Sequence, residues 1–74
     1  MKVQRFELTG DFIALNRLLK LAGICDSGGA GKALVACGDV CVDGAIELRK
    51  TAKIRAGQRV VIGDHIVDVV RSPG

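Results

Sequence analysis

Apolar residues recur along this 74-residue chain with two periods, one helical and one strand-like. From Phe12 to Ala22 they fall at Phe12, Leu15, Leu18, Leu19 and Ala22, the spacing of one helix face. Asn16, Arg17 and Lys20 take the opposite face. The preceding Thr9-Gly10-Asp11 reads as a turn, with Thr9 or Asp11 as the helix cap, and Gly23 stands where a left-handed C-terminal residue belongs. Ser27 is placed to cap a second helix running to about Cys37, with Ala30, Ala33, Leu34 and Cys37 as its apolar stripe and Gly38 as its stop. Ahead of both helices, Val3 to Leu8 reads as a short strand that half-buries Val3, Phe6 and Leu8.

Beyond Gly38 the period changes to two. Val40 and Val42 alternate into Asp43-Gly44, a strong signal for a two-residue hairpin turn, which predicts a tight reverse turn with Gly44 at positive φ. A second strand, Ala45 to Leu48, completes that hairpin. A strand-like piece follows at Lys53-Ile54-Arg55, then a turn at Gly57-Gln58. A second hairpin runs from Arg59–Ile62 through Gly63-Asp64 to His65–Val70, and Ser72-Pro73-Gly74 forms a tail. This order predicts an α+β fold in one domain over residues 1–74: two short packed helices on a small antiparallel sheet.

Composition narrows the function. The residues are 49% apolar, enough to fill the core of a chain that buries only about 60% of its unfolded surface. No apolar run approaches the roughly 18 residues of a membrane span. Met1 to Arg5 leads into no apolar signal region, and the three cysteines, 25, 37 and 41, cannot all pair. A reduced, cytoplasmic protein is expected. Cys25, Cys37, Cys41 and His65 lack the CxxC spacing of a zinc site, so the thiols are read as free and partly buried, with no metal. His65 follows a hairpin turn at the surface, Glu7 and Glu47 lie on separate elements, and no nucleophile sits in a recognisable motif. The chain is therefore expected to be non-catalytic and without a cofactor.

Charge supplies the positive signal. The net charge of +3 is concentrated in residues 45–59, where Arg49, Lys50, Lys53, Arg55 and Arg59 face one acid, Glu47, while the first 44 residues are neutral. Clustered lysine and arginine on a tight β-element suit a polyanion, which in a small soluble protein is usually nucleic acid. A merely solvated strand face guarding a sheet edge would mix its signs. Gly28-Gly29-Ala30-Gly31-Lys32 superficially suggests a phosphate loop, but Asp26 and Ala33 occupy the places of its first Gly and its Ser or Thr. Gly28-x-x-Gly31 also echoes the backbone-clamping loop of KH domains, but the strand-rich C-terminal half does not fit that fold. The glycines then either permit close packing or leave a helix N-terminus open to a phosphate beside Lys32.

Leu15-x-x-Leu18-Leu19-x-Leu21-x-Gly23, Ser27, and Ala30-x-Lys32-Ala33-Leu34-Val35-x-x-Gly38-x-Val40-x-Val42-Asp43-Gly44 together resemble the alpha-L RNA-binding motif of ribosomal protein S-four-like domains. Glu47-x-Arg49-Lys50-x-x-Lys53-Ile54-x-x-Gly57-x-x-Val60 resembles the compact stand-alone YbcJ-like group, and the likeness spans roughly residues 12–62. The resemblance implies RNA lying across the second helix and the following hairpin. It gives Lys32 the place of a basic residue on that helix, Gly38, Val42, Asp43 and Gly44 the turn, and Arg49, Lys50 and Lys53 the basic loop. Members often carry basic residues at the places of Gly28 and Ala36, which shifts the expected contact toward residues 49–59.

The expected function is non-catalytic recognition of structured RNA, of the ribosomal or transfer RNA class, by Lys32, Arg49, Lys50, Lys53, Arg55 and Arg59. Ribosome-associated proteins are the accompanying partners, and a membrane is not among them. Phe6 and Phe12 are the two aromatic residues, both expected in the core, so no base-stacking platform is expected. The competing reading is a protein-interaction adaptor on a ribosomal or RNA-processing assembly, with Ile66–Val70 as an edge strand open to a partner's sheet.

Overall fold

Leu15, Leu18 and Leu19 make one helix face fully inaccessible to water, and the rest of the fold assembles on that face. The computed structural model describes residues 2–73. In chain order the elements are β1 (Lys2–Leu8), β2 (Ile13–Ala14), α1 (Leu15–Leu21), α2 (Gly28–Ala36), β3 (Val40–Val42), β4 (Ala45–Ile46), β5 (Lys53–Ile54), β6 (Arg59–Ile62) and β7 (His65–Arg71). The three leucines, with Val35 of α2, pack on Val40, Val60, Val67 and Val69 from one face of a sheet ordered β1-β7-β6-β3-β4. The class is α+β, as the order of elements predicts.

The sheet is mixed. The meander β4-β3-β6-β7 is antiparallel throughout, while β1 runs parallel to β7, from Lys2 opposite His65 to Leu8 opposite Arg71. Two expectations change as a result. Strand β7 is interior, hydrogen-bonded on both sides, so Ile66–Val70 offers no free edge; the edges are β1 and β4. Strand β1 turns Gln4, Phe6 and Leu8 inward, leaving Val3 61% exposed.

The first helix is shorter than its apolar spacing implies. Ile13 and Ala14 leave the helical path to pair with Ile54 and Lys53 of β5, so the helix begins at Leu15, Ala14 occupies the cap position, and neither Thr9 nor Asp11 caps it. Its end agrees with expectation: the Gly23 N–H bonds Lys20 O (3.1 Å) and the Ile24 N–H bonds Leu19 O (3.0 Å), the paired bonds of a Schellman motif. Ser27 caps α2 by accepting from the Ala30 N–H (3.1 Å), and Gly38 ends that helix by the same motif. The buried face of α2 is Gly31 and Val35, with Leu34 partly buried; Ala33 and Cys37 point to solvent. Ala and Gly supply too little hydrophobic contrast for periodicity to fix the face.

Gly31 lies where the helices cross. A Cβ at this position would stand 2.7 Å from Asn16 O on α1, so the backbones approach as only glycine permits. Of the two readings of the glycine-rich turn, close packing accounts for Gly31.

Candidate nucleic-acid interface

The basic segment is positioned by the first turn of α1. With no capping side chain, two of its orphan backbone donors find carbonyls in the loop after β4: the Leu15 N–H bonds Ala52 O (2.9 Å) and the Asn16 N–H bonds Lys50 O (3.1 Å). The loop is itself closed by an Ala52 N–H bond to Arg49 O (3.1 Å). Ala52 is buried, which presses the turn against the core and sends Lys50 and Thr51 outward. Lys32 projects from α2 beside it. An open cleft results, lined by Lys32, Leu48, Arg49, Lys50, Thr51, Ala52 and Lys53.

The cations differ in their surroundings. Arg49 forks onto Glu47, Nε to Oε2 and Nη2 to Oε1, both at 3.1 Å, and its backbone N–H adds a third bond to the same carboxylate. Those bonds hold the Glu47 carboxyl below its usual range and raise the guanidinium further. Lys32, Lys50 and Lys53 have no ion-pair partner among the described residues. Arg59 lies apart on β6, on the sheet face opposite the core, and is paired with Asp68 at 2.6 Å. Arg55 turns toward the β1–β2 loop, its Nη1 donating to Asp11 O (3.5 Å) and its guanidinium 5.8 Å from the centre of the Phe12 ring, and the Lys53 ammonium is 4.9 Å from that centre. Phe12 itself is 45% exposed and belongs to neither the helix nor the core. Cation–ring contacts at exposed sites contribute only about 0.5–1 kcal/mol, so these side chains remain free to rearrange. The six sequence-selected cations thus divide: Lys32, Arg49, Lys50 and Lys53 share the cleft, Arg55 flanks it, and Arg59 faces elsewhere.

The turn residues also separate by role. Asp43 (φ 52) and Gly44 (φ 88) both adopt the left-handed conformations of a type I′ turn. The Asp43 carboxylate does more than its place in the turn suggests. Its Oδ1 accepts the Arg59 backbone N–H (2.9 Å) and its Oδ2 accepts the Gln58 amide (3.1 Å), tying the first hairpin to the 57–59 turn. These bonds, the Arg59 N–H first and the Gln58 amide second, hold its carboxyl below the usual range. Nothing local in the sequence marks this contact, which spans fifteen or sixteen positions.

A pH dependence follows from Asp43 and Glu47. Both ionise more readily folded than unfolded, so their stabilisation is fully present above the unfolded carboxylate pKa and is lost as pH falls through the lower folded values. The melting temperature is expected to be flat near neutrality and to drop below about pH 4. In Asp43→Asn the drop should be shallower, and an identical acid profile in that variant would show that the clamp contributes nothing.

The thiols are free: Cys25 and Cys41 are partly buried, and Cys37 is exposed, a departure from its expected place on a buried stripe. No cluster of three or more metal-ligating side chains occurs among the described residues. No helix among them is long and apolar enough to cross a membrane.

The sequence profile of the S4 domain family matches residues 6–70 of this chain. The chain belongs to that family. It is similar to YbcJ of Escherichia coli (strain K12), with 50% identity over 58 residues that cover 78% of this chain and 83% of that one, and to YbcJ of Shigella flexneri to the same extent. The solution structure of YbcJ from E. coli, which carries an alfaL motif involved in RNA binding, superposes with a TM-score of 0.68 at 43% identity, covering 95% of this chain and 87% of that one.

Proposed function

We propose that this chain is a non-catalytic RNA-binding protein that holds structured RNA, of the ribosomal or transfer RNA class, in the cleft between α2 and the 49–52 turn. The convergence of Lys32, from one element, with Lys50 and Lys53, from another, carries the reading: three ammonium groups without an ion-pair partner among the described residues line one open surface. Lysine is a compact charge on a flexible stem, suited to phosphates whose spacing varies with groove shape. Arg49 adds a fork that exchanges Glu47 for a phosphate at little cost, since surface pairs contribute about 0–1 kcal/mol. Arg55 extends the surface at its flank, and Arg59, engaged by Asp68, contributes least. Likeness to a protein with an RNA-binding motif supports RNA over DNA, and recognition then rests on phosphates, 2′-hydroxyls and shape.

Salt titration tests it. With three to five phosphates contacted, log K for an RNA hairpin is expected to fall against log salt with a slope between roughly −2 and −4.5. A flat response would remove phosphate contact as the basis of affinity.

A further inference from the structure

Phe12 is a large aromatic ring left 45% exposed in a chain that has only two aromatic residues. We propose that this ring is the stacking platform for one unpaired nucleobase of the bound RNA, with Lys53 and Arg55 taking the phosphates that flank that nucleotide. The inference rests on the RNA-binding reading above and adds to it a second kind of contact and a requirement on the ligand.

Three observations carry it. The ring lines an open, mostly apolar notch with Ile13 and Leu21, where Arg17 and Glu7 supply one charge of each sign, so a flat apolar group can enter. Lys53 and Arg55 lie 4.9 and 5.8 Å from the ring centre without an acidic partner among the described residues. Lys53 also lines the phosphate cleft, so a nucleotide stacked on Phe12 would adjoin the strand lying in that cleft. An apolar protein side chain would suit the notch but would leave Lys53 and Arg55, beside the ring, without a partner. A nucleotide satisfies both, presenting a flat ring and a phosphate together.

Energetic comparison favours the exchange. A cation resting on an exposed ring is held by only about a twofold to fivefold preference. A base stacked on an aromatic side chain raises affinity by roughly fivefold to a hundredfold. The base therefore displaces the ammonium, which is then released to a phosphate. The RNA this protein prefers should carry a bulged or looped-out nucleotide beside a helical stem.

Dissociation constants for two RNA hairpins test this, one with a fully paired stem and one with the same stem interrupted by a single unpaired nucleotide. Wild-type protein is expected to prefer the interrupted stem by about fivefold or more, and Phe12→Leu to lose roughly tenfold on that RNA while changing less than about twofold on the paired stem. Phe12→Tyr, which keeps the ring, should retain the preference, and melting temperatures should show all three proteins folded. Equal affinity of the wild type for the two hairpins, equal losses on both RNAs, or a Phe12→Tyr variant as weak as Phe12→Leu would overturn the stacking site and leave phosphate binding standing. Failure of wild-type protein to bind either hairpin would overturn the RNA-binding reading and the stacking site with it.

Discussion

Charge reversal at Lys32 and Lys50 together is expected to lower affinity for a structured RNA by roughly a thousandfold, since two charge-assisted hydrogen bonds, each worth about 1.5–3 kcal/mol, are lost and two repulsive charges are gained. The pair is chosen for its geometry. The two lysines come from different elements, α2 and the turn after β4, and meet at one cleft, so a ligand that spans the cleft contacts both. The melting temperature should hardly change, because both side chains are exposed and have no ion-pair partner among the described residues. Arg71→Glu is the control. It makes the same change in sign at the end of β7, in a separate recess beside Arg5 and Glu7. Filter binding or fluorescence anisotropy at fixed salt distinguishes the two. A loss at Arg71 as large, per charge, as at the lysine pair would mean that net charge alone governs binding and that the cleft has no special part.

The largest effect on stability should come from Gly31. In Gly31→Val the new Cβ would lie 2.7 Å from Asn16 O, a backbone atom. That backbone cannot retreat without cost, since the N–H of the same residue is bonded to Lys50 O. The helices must separate, at an expected cost of about 3 kcal/mol or more. For a domain of this size that is a fall of roughly 12–24 °C in melting temperature. Gly29→Ala, two positions away, should act in the opposite sense. Its Cβ would meet nothing nearer than Ser27 Oγ at 3.8 Å, and the better helix propensity of Ala is then free to stabilise by about 0.5 kcal/mol. Thermal unfolding of both variants decides the matter; a Gly31→Val protein that melts with the wild type would mean that the helices do not cross as closely as described.

What the sequence made legible was mostly local chemistry. The Ser27 cap, the Gly23 and Gly38 helix stops and the Asp43-Gly44 turn each depend on residues within five positions, and each forms as its residue types dictate. What stayed hidden depends on distant partners. Ile13 and Ala14 look helical in isolation, but the pairing offered by Ile54 and Lys53, about forty residues away, takes them into a strand. That change removes Phe12 from the helix and exposes it, so the aromatic residue assigned to the core became the one placed among the cations. The basic segment was visible as an imbalance of charge. Its division into a cleft group, a flank and the Asp68-paired Arg59 was not, because pairing of charges is a property of the folded surface.

The parallel pairing of β1 with β7 has a consequence for biosynthesis. Its partners lie roughly sixty residues apart in the chain, so at a translation rate of about 5–20 residues per second β1 waits several seconds for the strand that completes its hydrogen bonds. During that interval Phe6 and Leu8 have no sheet to enter, and the leucines of α1 lack the Val67 and Val69 surface they are to cover. The nascent chain therefore carries an exposed apolar segment until β7 has been made. Contacts of such long range also slow folding after release. Any shortening of the chain ahead of β7 would leave that segment permanently open, and aggregation rather than partial activity is the outcome to expect of such a fragment.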